Sequence, residues 1–480
     1  MIKTMKKAIF ILGMAFSFFA LNSCERDITT LNVDPKHPST LPAQTFFASS
    51  QYSLIERMIT PNVNNNIARL FTQQWTQTTY TDESNYDFVT RQINTNHWNY
   101  MYNDVLYGFK LTAEKLETEV DKDLDVTVNK RATTEIMAVY AWANLVDTYN
   151  NIPYSEALKP AGSETIVQPK YDDAKTIYID LLKRLDAAIA SINQTKSGFN
   201  SDLIYGGNMK KWYKFANALK LRLGINLADV DASLSKTTVE SAYSKVFASN
   251  ADNATVQFPG GQYSNPVYLE LNGRTDYVGS DVLINSLKAK NDPRISVYFE
   301  PTASGAFVGG TYGSNSNYAA NSHVNETYIN NPNAIGDLFD YAEVCFMLAE
   351  AAQRGYSVGG SAATWYDKGV LASMDYWHVS AAEAATYLAA NPYNAASWKQ
   401  SIGEQAWLAM YNRGYEAWTF SRRLDFPKFV NPVGSDTKGV PTRMTYPAPE
   451  QSLNKANYEA AAATLAGGDD ATSKVFWDKF

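Results

Sequence analysis

Residues 132–149 read ATTEIMAVYAWANLVDTY and run directly into Asn150-Asn151-Ile152-Pro153. Ile136, Val139, Tyr140, Ala143 and Val146 recur at three- and four-residue intervals, so a 3.6-residue period places them on one face of a helix. Pro153 disfavours helical backbone at the residue before it, and the two asparagines favour a turn, so the helix is predicted to stop at Tyr149. A helix with such a stripe draws its stability from packing that face on a neighbour, and the stretch therefore predicts a helical protein.

The same pattern recurs on both sides. Asp172–Asn193 has acids in its first turn and Ala174, Ile177, Tyr178, Leu181, Leu185, Ala188 and Ile192 as its face. Met209–Ala228 aligns Trp212, Phe215, Leu219, Arg222 and Leu223. Leu338–Arg354 aligns Leu338, Tyr341, Ala342, Cys345, Leu348, Ala349 and Ala352, with Gly355 as the residue after the C-cap. Ala363–Tyr376 and Gly403–Arg423 are two further helices. Nearer the start, Ala43 to about Thr78 predicts one or two helices ending near Gln77 and interrupted by Pro61; Thr79–Asn96 is an aperiodic loop, and His97 to about Val120 is helical again. Helices joined in pairs by turns suggest helix–turn–helix stacking, although no crisp repeat of about 34 residues is visible. Asn250–Arg274 and Pro301–Asn333, rich in Gly, Asn, Ser and Tyr, interrupt the helices. Irregular blocks longer than about 12–15 residues are usually functional or disordered, and the spaced Tyr312, Tyr318 and Tyr328 argue against pure disorder.

The first residues carry a different signal. Lys3, Lys6 and Lys7 precede an apolar run from Ala8 to Leu21. At about fourteen residues that run is short for a ~30 Å hydrocarbon core and reads as a secretory leader, residues 1–23. Leu21-Asn22-Ser23-Cys24 resembles a lipobox, whose thiol receives a diacylglycerol, although Asn22-Ser23 replaces the commoner small apolar pair. The expectation is acylation at Cys24 and a mature body, 24–480, forming one substrate-binding domain. Glu25–Pro42, with Pro35, Pro38 and Pro42, reads as an extended tether.

The chain carries a formal charge of −7, and loss of the three leader lysines makes the mature body about −10, so a basic footprint for nucleic acid is absent. Beyond Cys24 the one remaining cysteine is Cys345, which excludes an internal disulfide in the mature chain and zinc sites built on several thiolates. Asp121, Asp123 and Asp125 imitate the start of an EF-hand loop, but Val126 stands where glycine is required and Ala132 where glutamate belongs. No G-x-S-x-G, H-E-x-x-H, Walker A or G-x-G-x-x-G motif occurs. His37, His97, His323 and His378 are scattered and read as surface or loop residues. The forty-nine acids make some close carboxylate pair inevitable, so a glycosidase is not excluded by motif alone.

Several longer blocks carry a family resemblance. Ala138-Val-Tyr-Ala-Trp-Ala-Asn-Leu-Val-Asp147 with Asn151-Ile-Pro-Tyr-Ser-Glu-Ala157 resembles the first long helix and turn of the SusD/RagB family. Asp202-Leu-Ile-Tyr-Gly-Gly207, Lys211-Trp212 and Phe215–Arg222 resemble its next block. Asp292-Pro293-Arg294, Tyr341–Ala351, Gly414-Tyr-Glu-Ala-Trp418, Arg422-Arg423 and Tyr446-Pro447 to Asn454 continue the match in order. The resemblance, to the SusD-like branch associated with starch binding, implies a mainly α fold. Tetratricopeptide-like helix pairs form a right-handed scaffold, with long irregular loops on the ligand face. It also implies an outer-membrane lipoprotein, exposed at the cell surface, that captures oligosaccharide or polysaccharide fragments, uses no cofactor or metal, and passes them to a SusC-like TonB-dependent transporter. The same scaffold serving peptides or other small nutrients is the alternative, and a hydrolase is a third reading.

Sugar binding needs exposed rings that stack on pyranose faces, with amide and guanidinium groups reaching hydroxyls. Thr79–Asn96 offers that mixture in Tyr80, Asn85, Tyr86, Phe88 and Arg91, where SusD-like proteins often place one wall of the site. Tyr312 to Tyr328, including Tyr318, is a candidate second wall. Trp142, Trp212, Trp407 and Trp418 sit at apolar helical spacing and are expected in the core, as are Trp98 and the thiol of Cys345. Glu416 with Arg422 and Arg423 reads as an internal or interfacial ion pair.

Overall fold

A computed structural model describes residues 41–159 and 166–480; the leader, Cys24 and the tether up to Thr40 lie outside the described residues. Among the described residues, ten helices of ten residues or more form the frame: α1 Ala43–Ile59, α2 Leu124–Tyr149, α3 Ala174–Ser191, α4 Met209–Asn226, α5 Ala232–Ala242, α6 Tyr341–Gln353, α7 Ala362–Tyr376, α8 Ala381–Ala390, α9 Trp398–Ala409 and α10 Gly414–Leu424. Their ends follow from side chains. Asp173, Asn208, Asp340 and Ser361 each accept a backbone N–H from the first turn of α3, α4, α6 and α7, replacing a partner that the helix itself cannot supply. Gly355 takes the left-handed φ of +81° that ends α6.

Sequence neighbours pack as pairs: α2 on α3, α4 on α5, α6 on α7, α9 on α10. The pairs then meet one another, α3 on α4, α4 on α6 and α6 on α9, so the apolar stripes close into one core. The Trp212, Trp407 and Trp418 rings are buried there with Ile136, Phe215 and Leu348, and Trp142 and Trp98 are nearly so. At about 1.5–3 kcal/mol for each large apolar side chain removed from water, this burial is the main stabilising force. A Cβ at Gly224 of α4 would come within 2.8 Å of Thr238 on α5, so glycine sets the approach of that pair.

Among the described residues, three two-stranded antiparallel ribbons tie the loops to this frame: β1 Trp75–Gln77 with β5 Tyr277–Gly279, β2 Ile152–Pro153 with β3 Tyr171–Asp172, and β4 Ala254–Gln257 with β6 Ile335–Phe339. They also correct the sequence reading. The first helix ends at Ile59, ahead of Pro61, and the stretch near Gln77 is β1 rather than a helix end. Leu338 belongs to β6, not α6. The segment expected as one helix from Gly403 to Arg423 is two, α9 and α10, parted by Met410–Arg413, and a Cβ at Gly414 would meet the Arg69 backbone nitrogen at 2.7 Å. α2 starts at Leu124 because Asp123 caps it, while Asp121 is bound by Lys130 Nζ at 2.8 Å and by Thr127 Oγ1 at 2.9 Å, so the acidic triplet opens a helix.

Inside the frame the charged residues are paired across helices. Arg222 of α4 grips Glu343 of α6 with two hydrogen bonds, 2.7 and 2.9 Å, and Arg423 of α10 donates to Glu350 of α6 at 3.0 Å. Arg422 is satisfied by backbone carbonyls of Asp147 and Thr442, and Glu416 accepts from Tyr140 Oη at 2.6 Å. Glu416 and the two arginines are therefore internal, as expected, but none pairs with another of the three. His97 is not a surface residue: it is buried between Asn144 (2.9 Å) and Tyr415 Oη (3.0 Å), and burial, with Arg57 nearby, holds its imidazole neutral down to about pH 3.

Candidate functional site

The loop surface begins at β1. Thr78 is fastened to β5's side by its N–H on Asp276 O and to the later loop by Ser316 N–H on Thr78 O, both 2.9 Å. Asn85 Nδ2 donates to Gly313 O at 2.8 Å, and the Tyr86 and Tyr312 rings lie 6.0 Å apart. The two stretches read from the sequence as walls are thus joined, but few of their side chains face outward. Tyr86 is 1% exposed against Phe71 and receives Gln73 Nε2 at 2.7 Å. Phe88 is 2% exposed, also against Phe71. Tyr312 is buried with its hydroxyl on Leu70 O, Asn85 is the buried link just described, and Arg91 is held by buried Glu83. Tyr86, Phe88 and Tyr312 have no free ring face for a sugar, because the loop lacks an apolar helix of its own and closes over these rings instead. Tyr80 remains open at 79% exposure, and Tyr318 is half-buried, stacked on His323 at 4.6 Å.

A cleft of about 760 Å³ opens where the later loop meets the helices, within the size range of ligand pockets. One wall is β4 with β6. Side chains alternate along β4, so Ala254 and Val256 enter the core while Thr255 and Gln257 face the cleft. The second wall is the short helical turn Glu326–Ile329, capped by Asn325, which sets Thr327 and Tyr328 into the cleft ahead of Asn331 and Asn333. The third is the C-terminal end of α7, where Asp375, Tyr376, Trp377 and His378 leave the helix.

The rings of this cleft rest on a rigid base. Tyr298 and Tyr411 stack at 4.0 Å, each anchored by its hydroxyl on a backbone carbonyl. Trp377 meets them edge-on at 4.9 and 5.9 Å, and Tyr328 meets Trp377 at 6.4 Å. Trp377 and Tyr328 themselves stay half-buried, one side packed and one side open. Amides line the rest: Asn250 donates to Asp375 Oδ2 at 2.8 Å, Asn333 to Phe258 O at 3.0 Å, and Asn412 to Asp337 Oδ2 at 3.3 Å. Burial, then the neighbouring Asp340, lifts the Asp337 carboxyl to about 7 against the pull of Arg413. Half-open rings among fixed amides can stack on a flat, hydroxylated ligand and hydrogen-bond its edge. Sequence reading reached Tyr328 as the end of a wall but passed over Tyr376 and Trp377, which look like the last turn of a helix. The cue was Asp375-Tyr376-Trp377-His378, two rings between polar residues where the helical period stops.

The family model described as starch-binding and associating with the outer membrane, SusD-like, matches residues 35–447. The chain belongs to that SusD-like family. No curated protein matches it. Among solved structures, a chitin-binding protein superposes with a TM-score of 0.81 at 27% identity, over 91% of this chain and 100% of the other. A SusD homolog from Bacteroides uniformis ATCC 8492 gives 0.77 at 25% identity over 91% and 99%. A chitin-binding SusD homolog from Flavobacterium johnsoniae gives 0.77 at 23% over 91% and 98%. The mainly helical, paired-helix fold expected from the sequence is the fold of this SusD-like chain.

Proposed function

We propose that this SusD-like chain captures glycan chains at the cleft between β4–β6 and the end of α7 and holds them without chemical change. The observation that carries the reading is the half-open Trp377–Tyr328 pair, with Trp377 set edge-on against the stacked Tyr298 and Tyr411 and the whole bordered by amides. A sugar face packs against the rings, and its hydroxyls meet Asn, Gln and Thr side chains. The family's starch-binding description and the chitin-binding protein similar at 27% identity support a glycan over a peptide. Tyr80, with Tyr318 on the adjoining loop, offers a second contact for longer chains. Of the other residues picked out in these loops, Asn85, Tyr86, Phe88, Arg91 and Tyr312 support the surface from below.

The cellular role follows from the leader and the family. Residues 1–23 direct export, Cys24 carries the acyl anchor at the outer membrane, and residues 24–480 act as one binding domain facing outward. The captured glycan passes to a SusC-like TonB-dependent transporter. Gel retardation of the mature chain in a panel of polysaccharides, with sugar release followed in parallel, tests this reading. Retardation without release is the expected result, and release of shortened sugars contradicts capture.

A further inference from the structure

Asp375 stands where the last turn of α7 opens into the cleft, two residues before Trp377, and it is exposed. Among the described residues that line the cleft, none is lysine or arginine. The lysines of α4 nearby are engaged elsewhere: Lys211 Nζ donates to Ala251 O and Lys214 Nζ to Asp252, each at 2.8 Å. Arg294, which reaches Ser373 of α7 at 2.8 Å, is buried and paired with Asp292. Among the described residues, Asp375 thus enters the cleft without a cationic partner.

A surface acid without a partner is ordinary, but this one is held in place from another element. Asn250 spends both amide hydrogens on the end of α7, one on Ala372 O at 2.9 Å and one on Asp375 Oδ2 at 2.8 Å. The turn that carries Asn250 is itself fixed. Asp252 takes the Ala248 N–H at 2.8 Å as well as Lys214, and Asn253 Oδ1 takes the Tyr341 N–H at the start of α6, also at 2.8 Å. Asn250 lines the cleft yet has no donor left for a ligand, so what it supplies is the position of Asp375. Asp375 Oδ1 takes no hydrogen bond from a described residue. A pyranose stacked on an indole turns a C–H face to the ring and its equatorial hydroxyls outward, past the ring's edge. A carboxylate standing there only accepts, and two neighbouring hydroxyls can donate to it. Such charge-assisted bonds are roughly twice as strong as neutral ones, and a side chain already held need not be ordered on binding.

Resting on the glycan-capture reading, we propose that Asp375 is a ligand-contact residue that accepts hydroxyls of the sugar stacked on Trp377, and that Asn250 is the positioning residue that aims it.

The test is calorimetric titration of the full chain with glucose tetramers, α-1,4- and β-1,4-linked, and with the same tetramers oxidised at C6 to glucuronates. Asp375→Asn, whose amide oxygen can still accept from Asn250, should weaken neutral binding by about tenfold while the oxidised tetramer binds more tightly than it binds the parent. A role in structure alone would weaken both together. Asn250→Ala should weaken neutral binding several-fold in the parent and leave it unchanged in an Asp375→Ala background, the non-additivity of two residues that act as one. Unchanged neutral affinity in Asp375→Asn, or oxidised tetramers bound no more tightly than by the parent, overturns the proposal. Equal loss from Asn250→Ala in both backgrounds overturns the positioning role. Full neutral binding in Trp377→Ala, or silence with all four tetramers, instead overturns the capture reading at this cleft.

Discussion

Tyr80 and Tyr86 stand six residues apart in one loop, and the sequence gives no reason to separate them. The structure separates them completely: one ring is in water, the other is wedged against Phe71 and Tyr312. Loop aromatics have no period from which burial can be read, and that is why Tyr86, Phe88 and Tyr312 looked like ligand contacts. The helical tryptophans were legible for the opposite reason, since Trp212 and Trp407 recur with their stripes. Tyr86→Ala should therefore lower stability by about 3–5 kcal/mol in chemical denaturation. Tyr80→Ala should change it by less than about 0.5 kcal/mol. If the cleft captures glycan as proposed, Trp377→Ala should weaken glycan affinity by about 2 kcal/mol or more in calorimetry.

At the scale of elements, helices with strong stripes and capping residues were readable to within a few residues, as in α3, α4 and α7. Short elements were not. β1 and β6 hold three and five residues and owe their conformation to partners about 200 and 80 positions away, β5 and β4, which no local pattern reveals. The junction of β6 and α6 also carries buried charge, in Asp337 and Asp340. Asp337 has a carboxyl raised to about 7, chiefly by burial and then by Asp340, with Arg413 and hydrogen bonds from Asn412 and Tyr376 opposing. A raised carboxyl favours the folded state while protonated, so its contribution is full below the unfolded value near 4. It is lost progressively as pH rises to about 7. Asp337→Asn should match the parent's thermal stability at pH 4 and exceed it by about 2 kcal/mol at pH 8. A variant less stable than the parent at pH 8 would show that the ionised carboxylate is fully compensated by Arg413.

At the scale of the whole molecule, paired helices supply a stiff body and the loops between β1 and α7 supply the chemistry. Residues 43–480 pack as one unit. The family and the helical architecture were legible because they rest on blocks of ten or more residues spread along the chain. The cleft was not, because its walls come from β4, the turn before β6, and the end of α7, brought together only by folding. One measurement bears most directly on the claim that this cleft captures glycan without altering it. The parent chain and Trp377→Ala are titrated with an uncharged oligosaccharide, and the same samples are analysed for shortened products. The account predicts saturable binding by the parent, loss of at least about tenfold in affinity in a variant that remains folded, and intact sugar in both. Equal affinity in the two chains, or shortened sugar from either, would contradict it.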